Sequence, residues 1–171
     1  MRERGVDHER EEDFADFYRN ARDGCLRAVL AACGDRSLAE DLTGEAFAKA
    51  YASWHKVSRH PAPRAWVVRT ALNTHVSWWR RRRREVAWDE TLDPAQDAVP
   101  GGALDAQVMA ALRALPRRQR EVVALRIFLD LDTETTARTL GIAPGTVTAH
   151  LSRATFALRE SLAPNREQES V

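Results

Sequence analysis

The chain has 171 residues, of which 44% are apolar and 30% are charged, and its formal net charge is +1. That length suits one domain or two small ones, and the apolar share is sufficient for a buried core. No segment approaches the ~20 apolar residues of a membrane-spanning helix, and the charged N-terminus excludes a signal peptide, so we expect a cytoplasmic protein.

The N-terminal part of the chain divides into a charged segment and a helix. Residues 1–12 are charged and lack apolar periodicity, so we expect them to be disordered. A helix follows, ended by Gly34, with apolar residues at helical spacing: Phe14, Phe17, Ala21, Cys25, Val29 and Cys33. The two cysteines have no metal-binding spacing, so we expect buried thiols, no metal and no cofactor.

A second helix is predicted by a capping signal. Ser37 and Glu40 have the spacing of a capping box, which predicts that the helix starts at Ser37. Its apolar face includes Trp54, which we therefore expect in the core. A short loop, residues 55–62, precedes Pro63, and proline is favoured at the first position of a helix.

The helix that begins at Pro63 has two contrasting faces. The apolar face includes Trp78 and Trp79 and is expected to pack in the core. The opposite face has cations, an aromatic ring, an amide and a hydroxyl, but no acid; it consists of Trp66, Arg69, Asn73, Ser77, Arg80 and Arg84. Unpaired DNA is bound by cations, stacking rings and polar groups that reach base edges. A merely solvated helix face is the alternative.

The charge reverses sharply after this helix. Residues 46–84 have a charge of +10 and no acid, whereas residues 85–105 have a charge of −6 and no Lys or Arg. Such asymmetry is typical of a surface that binds a polyanion. Residues 86–103 also contain two prolines and two glycines, which predict a flexible acidic linker between two domains.

The sequence of the second domain, residues 104–163, predicts a set of short helices. Two helices meet near Pro116, and Arg117, Arg118 and Arg120 are candidate phosphate contacts. Asp132 is expected to cap a short helix, Gly141 to turn the chain and Pro144 to open a longer helix. This order predicts a helix-turn-helix, whose second helix would enter a DNA groove. No strand pattern occurs, and residues 164–171 form a polar tail.

Several segments together resemble one family. They are AEDLTGEAFAKAYASW, PRAWVVRTALNTHVSWWRRRRR and the run from ALPRRQREVV to SRATFALRE. Over about residues 13–162 the chain resembles bacterial RNA polymerase sigma factors of the extracytoplasmic-function (ECF) group of the sigma-70 family. The resemblance implies an all-α protein of two small helical domains joined by an acidic flexible linker. The second would be a winged-helix-like, sigma region 4 helix-turn-helix domain.

The resemblance also implies partners and contact residues. The first domain, residues 13–85, would bind core RNA polymerase through Asp41, Leu42, Glu45, Ala46 and Phe47. It would bind the promoter −10 element through Arg59, Arg64, Trp66, Arg69, Asn73, Ser77, Arg80 and Arg84. The second domain would read the −35 element through Pro144, Gly145, Thr146, Thr148, Ala149, His150 and Arg153. An anti-sigma factor is a further expected partner, whereas membrane insertion and a small-molecule substrate are not expected.

The chain departs from the family pattern in both domains. Gly44 replaces a common Gln, Thr136 stands where an apolar residue is usual, and residues 148–150 replace a common Lys-Ser-Arg run. Whether residues 148–150 still allow the recognition helix to bind a −35 element is not decided by the sequence. Two alternatives to a sigma factor are a free-standing helix-turn-helix regulator and a degenerate sigma or interaction protein. No nucleophile–base pair, metal spacing or phosphate loop suggests an enzyme.

Overall fold

The computed structural model describes the backbone of residues 2–85 and 103–163, and the side chains of residues 8–77 and 106–163. No strand occurs in these backbone ranges, and the all-α prediction is confirmed. The predicted linker lies outside the described residues except for Ala103, and so does the polar tail. The elements are α1 (Arg2–Cys33), α2 (Arg36–Ala52), α3 (Trp54–Val57), α4 (Pro63–Glu85), α5 (Ala103–Ala114), α6 (Arg117–Val123), a π-helical segment (Ala124–Phe128), α7 (Thr133–Leu140) and α8 (Pro144–Leu162).

Helix α1 begins much earlier than the apolar pattern suggested. It starts at Arg2, so the prediction of disorder is wrong for residues 2–12. Arg and Glu, which dominate this segment, are good helix formers even where no apolar face is present. The guanidinium of Arg10 also lies 5.5 Å from the ring centre of Tyr51, a cation–π distance. The charged segment is therefore the first turns of α1.

At the junction between α1 and α2, the predicted end of α1 is confirmed and the predicted cap of α2 is wrong. Gly34 ends α1 with φ of 78°, a left-handed conformation that favours glycine, as predicted. The cap of α2 is Asp35, not Ser37: the Asp35 carboxylate accepts a hydrogen bond from the Leu38 amide at 2.8 Å. Glu40 pairs with Arg36 at 3.1 Å and forms no capping box. An extended aspartate two residues earlier takes the role that the motif assigned to Ser37.

The first domain packs α1, α2 and α4 around one apolar core. Trp54 is 4% exposed, which confirms its predicted place in the core, and its indole Nε1 donates to the Asp13 carboxylate at 2.9 Å. The loop predicted after Trp54 begins with the single turn of α3. Pro63 opens α4, as predicted. The side chains of Trp78 and Trp79 lie outside the described residues.

The second domain contains the predicted helix-turn-helix. The Asp132 carboxylate caps α7 by accepting from the Thr135 amide at 2.6 Å, and this hydrogen bond lowers the pKa of Asp132. Gly141 turns the chain with φ of 66°, and Pro144 opens α8. Each of these signals is local, and each is confirmed.

The π-helical segment continues α6 without a break. The Leu129 amide donates to the carbonyl of Ala124, five residues earlier, at 3.2 Å. A π turn holds one more residue than an α turn, and such turns occur most often as single insertions in α-helices. Ala124 and Leu125 are buried, whereas Ile127 is 53% exposed. No sequence pattern had indicated this segment.

The two domains contact each other closely. The C-terminal half of α1 packs against α5, α6 and the π-helical segment, and α4 contacts α7. Val122, Leu125 and Leu140 of the second domain belong to the same apolar cluster as the core of the first. Among the described residues, no helix combines the length and apolar character needed to cross a bilayer.

Thr136 provides a stability prediction. Its side chain is fully buried, and its hydroxyl has no hydrogen-bond partner among the described residues. A buried, unpaired polar group costs about 1–3 kcal/mol. We expect Thr136→Val, which exchanges the hydroxyl for a methyl group, to raise the free energy of unfolding by about 1 kcal/mol. Urea denaturation followed by circular dichroism measures the change.

Thr139 is the matched control for this prediction. It lies on the same helix and is half-buried, but its hydroxyl donates to the Thr135 carbonyl at 2.7 Å. Thr139→Val removes a satisfied hydroxyl and should give no comparable gain. A Thr136→Val variant that is no more stable than the wild type would show that its hydroxyl is not a cost to the fold.

Candidate nucleic-acid and polymerase interfaces

The polar face of α4 is accessible at its centre. Asn73 and Ser77 are exposed and lie one turn apart, and Arg69 is half-buried one turn earlier. Trp66 is also half-buried, because part of its ring packs against the apolar core. The side chains of Arg80 and Arg84 lie outside the described residues. The exposed centre of the face therefore offers an amide and a hydroxyl.

Two predicted arginines flank the start of α4. Arg59 is exposed in the turn after α3, and Arg64 is exposed in the first turn of α4. The Arg64 guanidinium donates to the carbonyl of Asn20 on α1 at 2.8 Å, which orients it. With no acid between residues 46 and 77, this part of the surface is suited to phosphate groups.

The surface of α2 differs from the one predicted. Asp41 and Glu45 are exposed, whereas Leu42, Ala46 and Phe47 are buried in this structure, so the contact of these three side chains with polymerase stays a prediction. They fill the core of the first domain, where the ring of Phe47 lies 4.9 Å from that of Tyr18. The family motif on α2 therefore includes residues from both the buried and the exposed side of the helix. The accessible face of α2 is mixed in charge, because Arg36 pairs with Glu40 and Lys49 pairs with Glu45.

The start of α8 is largely exposed. Pro144, Gly145, Thr146, Thr148 and Arg153 are exposed, whereas Ala149 and His150 are half-buried. The residue before the helix, Ala143, provides no side-chain cap, so the positive end of the helix dipole faces solvent. The Thr148 hydroxyl donates to the Pro144 carbonyl at 3.2 Å.

The comparisons with known proteins agree with this architecture. Residues 17–85 match the family described as Sigma-70 region 2, and residues 105–155 match Sigma-70, region 4. Over 152 residues the chain is 36% identical to the RNA polymerase sigma-E factor of Streptomyces coelicolor, covering 88% of this chain and 86% of that protein. It is 26% identical to the ECF RNA polymerase sigma factor SigM of Bacillus subtilis, covering 81% and 88%. The chain belongs to the ECF group of the sigma-70 family.

A solved structure extends the similarity to the whole fold of this sigma factor. The sigma factor RpoE of Bartonella quintana, in complex with the anti-sigma factor NepR, is similar with a TM-score of 0.75 and 26% identity. The match covers 91% of this chain and 99% of that chain. Both domains and their order are therefore shared.

The arginines of α6 make contacts within the protein in this sigma factor, although Arg117 and Arg118 also remain exposed. Arg117 and Arg118 each pair with the Glu121 carboxylate at 2.9 Å, and Glu121 is only 3% exposed. Arg120 donates to the carbonyl of Ala32 on α1 at 2.9 Å. Arg120 therefore contacts protein in this structure, and its interpretation as a phosphate contact stays a prediction. No sequence signal could reveal this contact, since the two residues are far apart in the chain.

His75 is another residue whose position the sequence did not reveal. It lies on α4 but is half-buried near Arg117 and Arg120 of α6, with Glu121 and Asp35 nearby. Burial, followed by the two guanidinium groups, lowers the pKa of His75. The imidazole is therefore neutral at neutral pH and adds no charge beside the arginines.

Gly44 provides a second stability prediction. It is exposed on α2 beside a shallow groove, and a Cβ atom placed on it would meet nothing within 4 Å. Glycine inside a helix costs about 1 kcal/mol relative to alanine. We expect Gly44→Ala to raise the free energy of unfolding by about that amount. Thermal and urea unfolding measure the gain.

Gly34 is the matched control for Gly44. Its φ of 78° disfavours any side chain, and a Cβ atom would lie 2.8 Å from Cγ of Arg113. We expect Gly34→Ala to lower the free energy of unfolding, so that the same substitution has opposite signs at the two positions. Equal effects at both positions would mean that neither the backbone conformation nor the space around the Cβ atom decides the outcome.

Proposed function

We propose that this protein binds core RNA polymerase and directs promoter-specific initiation of transcription. The observation that carries this proposal is the presence of both sigma regions in order on one chain. It is an initiation factor, and bond formation belongs to the polymerase. A cytoplasmic location, where the polymerase and the chromosome meet, is part of the proposal.

The exposed face of α4 is proposed to hold the −10 element as an unpaired strand. Extracting a base from the duplex costs a few kcal/mol, so several contacts have to act together. The Asn73 amide is suited to a base edge, Ser77 to a base or phosphate, and Arg59 and Arg64 to the backbone. Trp66 offers only part of its ring, because the residue is partly buried against the core.

The start of α8 is proposed to enter the major groove at the −35 element. Thr146, Thr148 and Arg153 are the accessible polar side chains there. Relative to the common Lys-Ser-Arg run, the segment lacks two fixed charges. Each lost phosphate contact should flatten the dependence of log K on log salt by roughly one unit. Binding of this element should therefore be weak and only mildly salt-dependent.

Docking on polymerase is proposed to use the exposed face of α2, with Asp41 and Glu45 as the exposed members of the predicted set; Glu45 also pairs with Lys49 at 2.6 Å. The other three members of that set are buried in this structure, and their contact with polymerase stays a prediction. An anti-sigma factor is a second proposed partner. Its support is the similarity to RpoE of Bartonella quintana, which was solved with NepR.

The experiment that tests the function is transcription in vitro from a fragmented genomic library, using core polymerase with and without the protein. Discrete start sites that share upstream motifs, and occur only with the protein, are expected. Polymerase binding without new starts would instead support a degenerate sigma protein. No polymerase binding, together with binding to a specific duplex site, would support a free-standing regulator.

A further inference from the structure

The turn that joins α3 to α4 is tied to the core of the first domain. The amide of His60 donates to the carbonyl of Val57 at 3.0 Å, and Val57 is only 1% exposed. Pro61 and Pro63 each fix one φ angle in the chain that follows. The side chains of this turn therefore have defined positions before any ligand binds, which lowers the conformational entropy that binding costs.

The imidazole of His60 is oriented by the backbone of the same turn. The amide of Ala62 donates to Nδ1 of this ring at 3.0 Å. A ring nitrogen that accepts a hydrogen bond carries no hydrogen, so the ring is neutral and its hydrogen is on Nε2. Because His60 is exposed, this N–H is accessible to a ligand at a fixed place on the surface.

Cations precede and follow His60 in the chain. Lys56, Arg59 and Arg64 are exposed, and no acid occurs between residues 46 and 77. Cationic side chains bind phosphates, which are the same for every base, whereas sequence is read by hydrogen bonds to base edges. A neutral N–H donor on a flat ring is therefore the kind of group that can distinguish one base from another on this surface.

His60 and Asn73 are too far apart to contact the same base. Helix α4 rises about 15 Å from Pro63 to Asn73, and His60 lies in the turn before the helix. Successive nucleotides of a stacked strand are about 3.4 Å apart, so about 15 Å corresponds to about four nucleotides. A base contact made by His60 would therefore fall on a different nucleotide from one made by Asn73.

We propose that His60 is a specificity-determining residue for the unpaired strand, and that its Nε2–H donates to the keto oxygen of one exposed base. This inference rests on the proposed function, because it assigns a base contact within the proposed −10 interface. Thymine and guanine carry a keto oxygen at the position where cytosine and adenine carry an amino group. An amino group would place donor against donor, so this nucleotide should be a keto base.

A purely local role is the alternative for the hydrogen bond between His60 and Ala62. The first amides of a helix lack partners within it, and His60 satisfies one at the start of α4. Asparagine separates the two roles, because its side-chain oxygen can accept the amide two residues later. Its side chain ends at the δ position, short of the place of Nε2. His60→Asn therefore keeps the local bond and removes the base contact, whereas His60→Ala removes both.

Binding of single-stranded oligonucleotides to the full chain in complex with core polymerase tests the proposal. Oligo(dT) and oligo(dC) are matched probes, because both bases are pyrimidines and they differ in the keto oxygen against the amino group. Fluorescence anisotropy, corrected for binding to core polymerase alone, should show that the wild type binds oligo(dT) about three- to tenfold more tightly. Both His60 variants should lower this ratio below about twofold.

Two results would overturn the proposal. An asparagine variant that keeps the wild-type ratio would assign His60 to the local hydrogen bond alone. A wild type without preference for oligo(dT), or an alanine variant that keeps the preference, would show that His60 does not read the base. The matched control is His55→Ala: His55 is also an exposed histidine between residues 46 and 77, but it lies on α3, and its variant should keep the wild-type ratio.

Base substitution along the −10 element of a promoter identified by transcription in vitro provides a second readout. His60→Asn should relax the base preference at one nucleotide, and Asn73→Ala should relax it at another. Relaxation at the same nucleotide in both variants would contradict the separate contact of His60. The oligonucleotide ratio requires no initiation, so it decides the role of His60 even where the wild type fails to start transcription, a failure that would count against the proposed function.

Discussion

Replacing Asn73 by alanine is expected to lower promoter opening about 10- to 100-fold while the affinity for core polymerase stays unchanged. The side chain is exposed at the centre of the α4 face, where an amide can donate to and accept from one base edge. A good base contact contributes about 1–3 kcal/mol, and each 1.4 kcal/mol is a factor of about ten. Reactivity of unpaired thymines measures opening, and fluorescence anisotropy measures polymerase binding.

Asn20→Ala is the control for this variant. Asn20 is also an exposed asparagine of the first domain, but its amide donates to the Asp16 carbonyl on α1. Its loss should leave opening near the wild-type level. If Asn73→Ala lost polymerase binding and opening to the same degree, the α4 face would be a protein contact and not a DNA contact.

Replacing Trp54 by alanine should cost about 3–5 kcal/mol of unfolding free energy. The ring is 4% exposed and lies 5.2 Å from the ring of Phe14 and 4.9 Å from that of Phe17. The substitution also leaves the Asp13 carboxylate without its indole donor. Domains of this size are typically stable by about 5–15 kcal/mol, so a large part of the total is removed. Urea denaturation provides the value.

Trp54→Phe separates packing from hydrogen bonding at this position. Phenylalanine keeps most of the aromatic contact but has no donor for Asp13, so we expect a loss of about 1–2 kcal/mol. Equal losses for phenylalanine and alanine would assign the effect to the hydrogen bond. An alanine variant as stable as the wild type would show that the ring contributes nothing to the stability of the core.

The helix ends that the sequence predicts correctly are those with a local cause. Pro63, Asp132, Gly141 and Pro144 act within a few residues of where they stand, so tertiary contacts rarely override them. The predicted start of α2 was wrong because Asp35 and Ser37 could each cap the helix. Helical spacing does not show which of the two does so. The prediction of disorder for residues 2–12 was wrong because a helix without an apolar face gives no periodic pattern in the sequence.

The candidate site was predictable to the extent that periodicity separates helix faces. Spacing placed Asn73 and Ser77 on the polar face of α4, and the structure exposes both. The candidate residues on α2 were instead taken from their positions in the family motif. Helical spacing alone would have placed Leu42 and Ala46, which are one turn apart, on the apolar face of α2. Contacts between distant segments, such as that of Arg120 with Ala32, leave no mark in a single sequence.

The π-helical segment has a consequence for changes in chain length. Because a π turn contains one residue more than an α turn, deleting one residue restores a regular α-helix and keeps both flanks in register. Ile127, which is 53% exposed, is the residue whose deletion costs least packing. Homologous chains that are one residue shorter in this segment should still present their helix-turn-helix in the same orientation, so a single gap at residues 124–128 is the expected pattern of divergence.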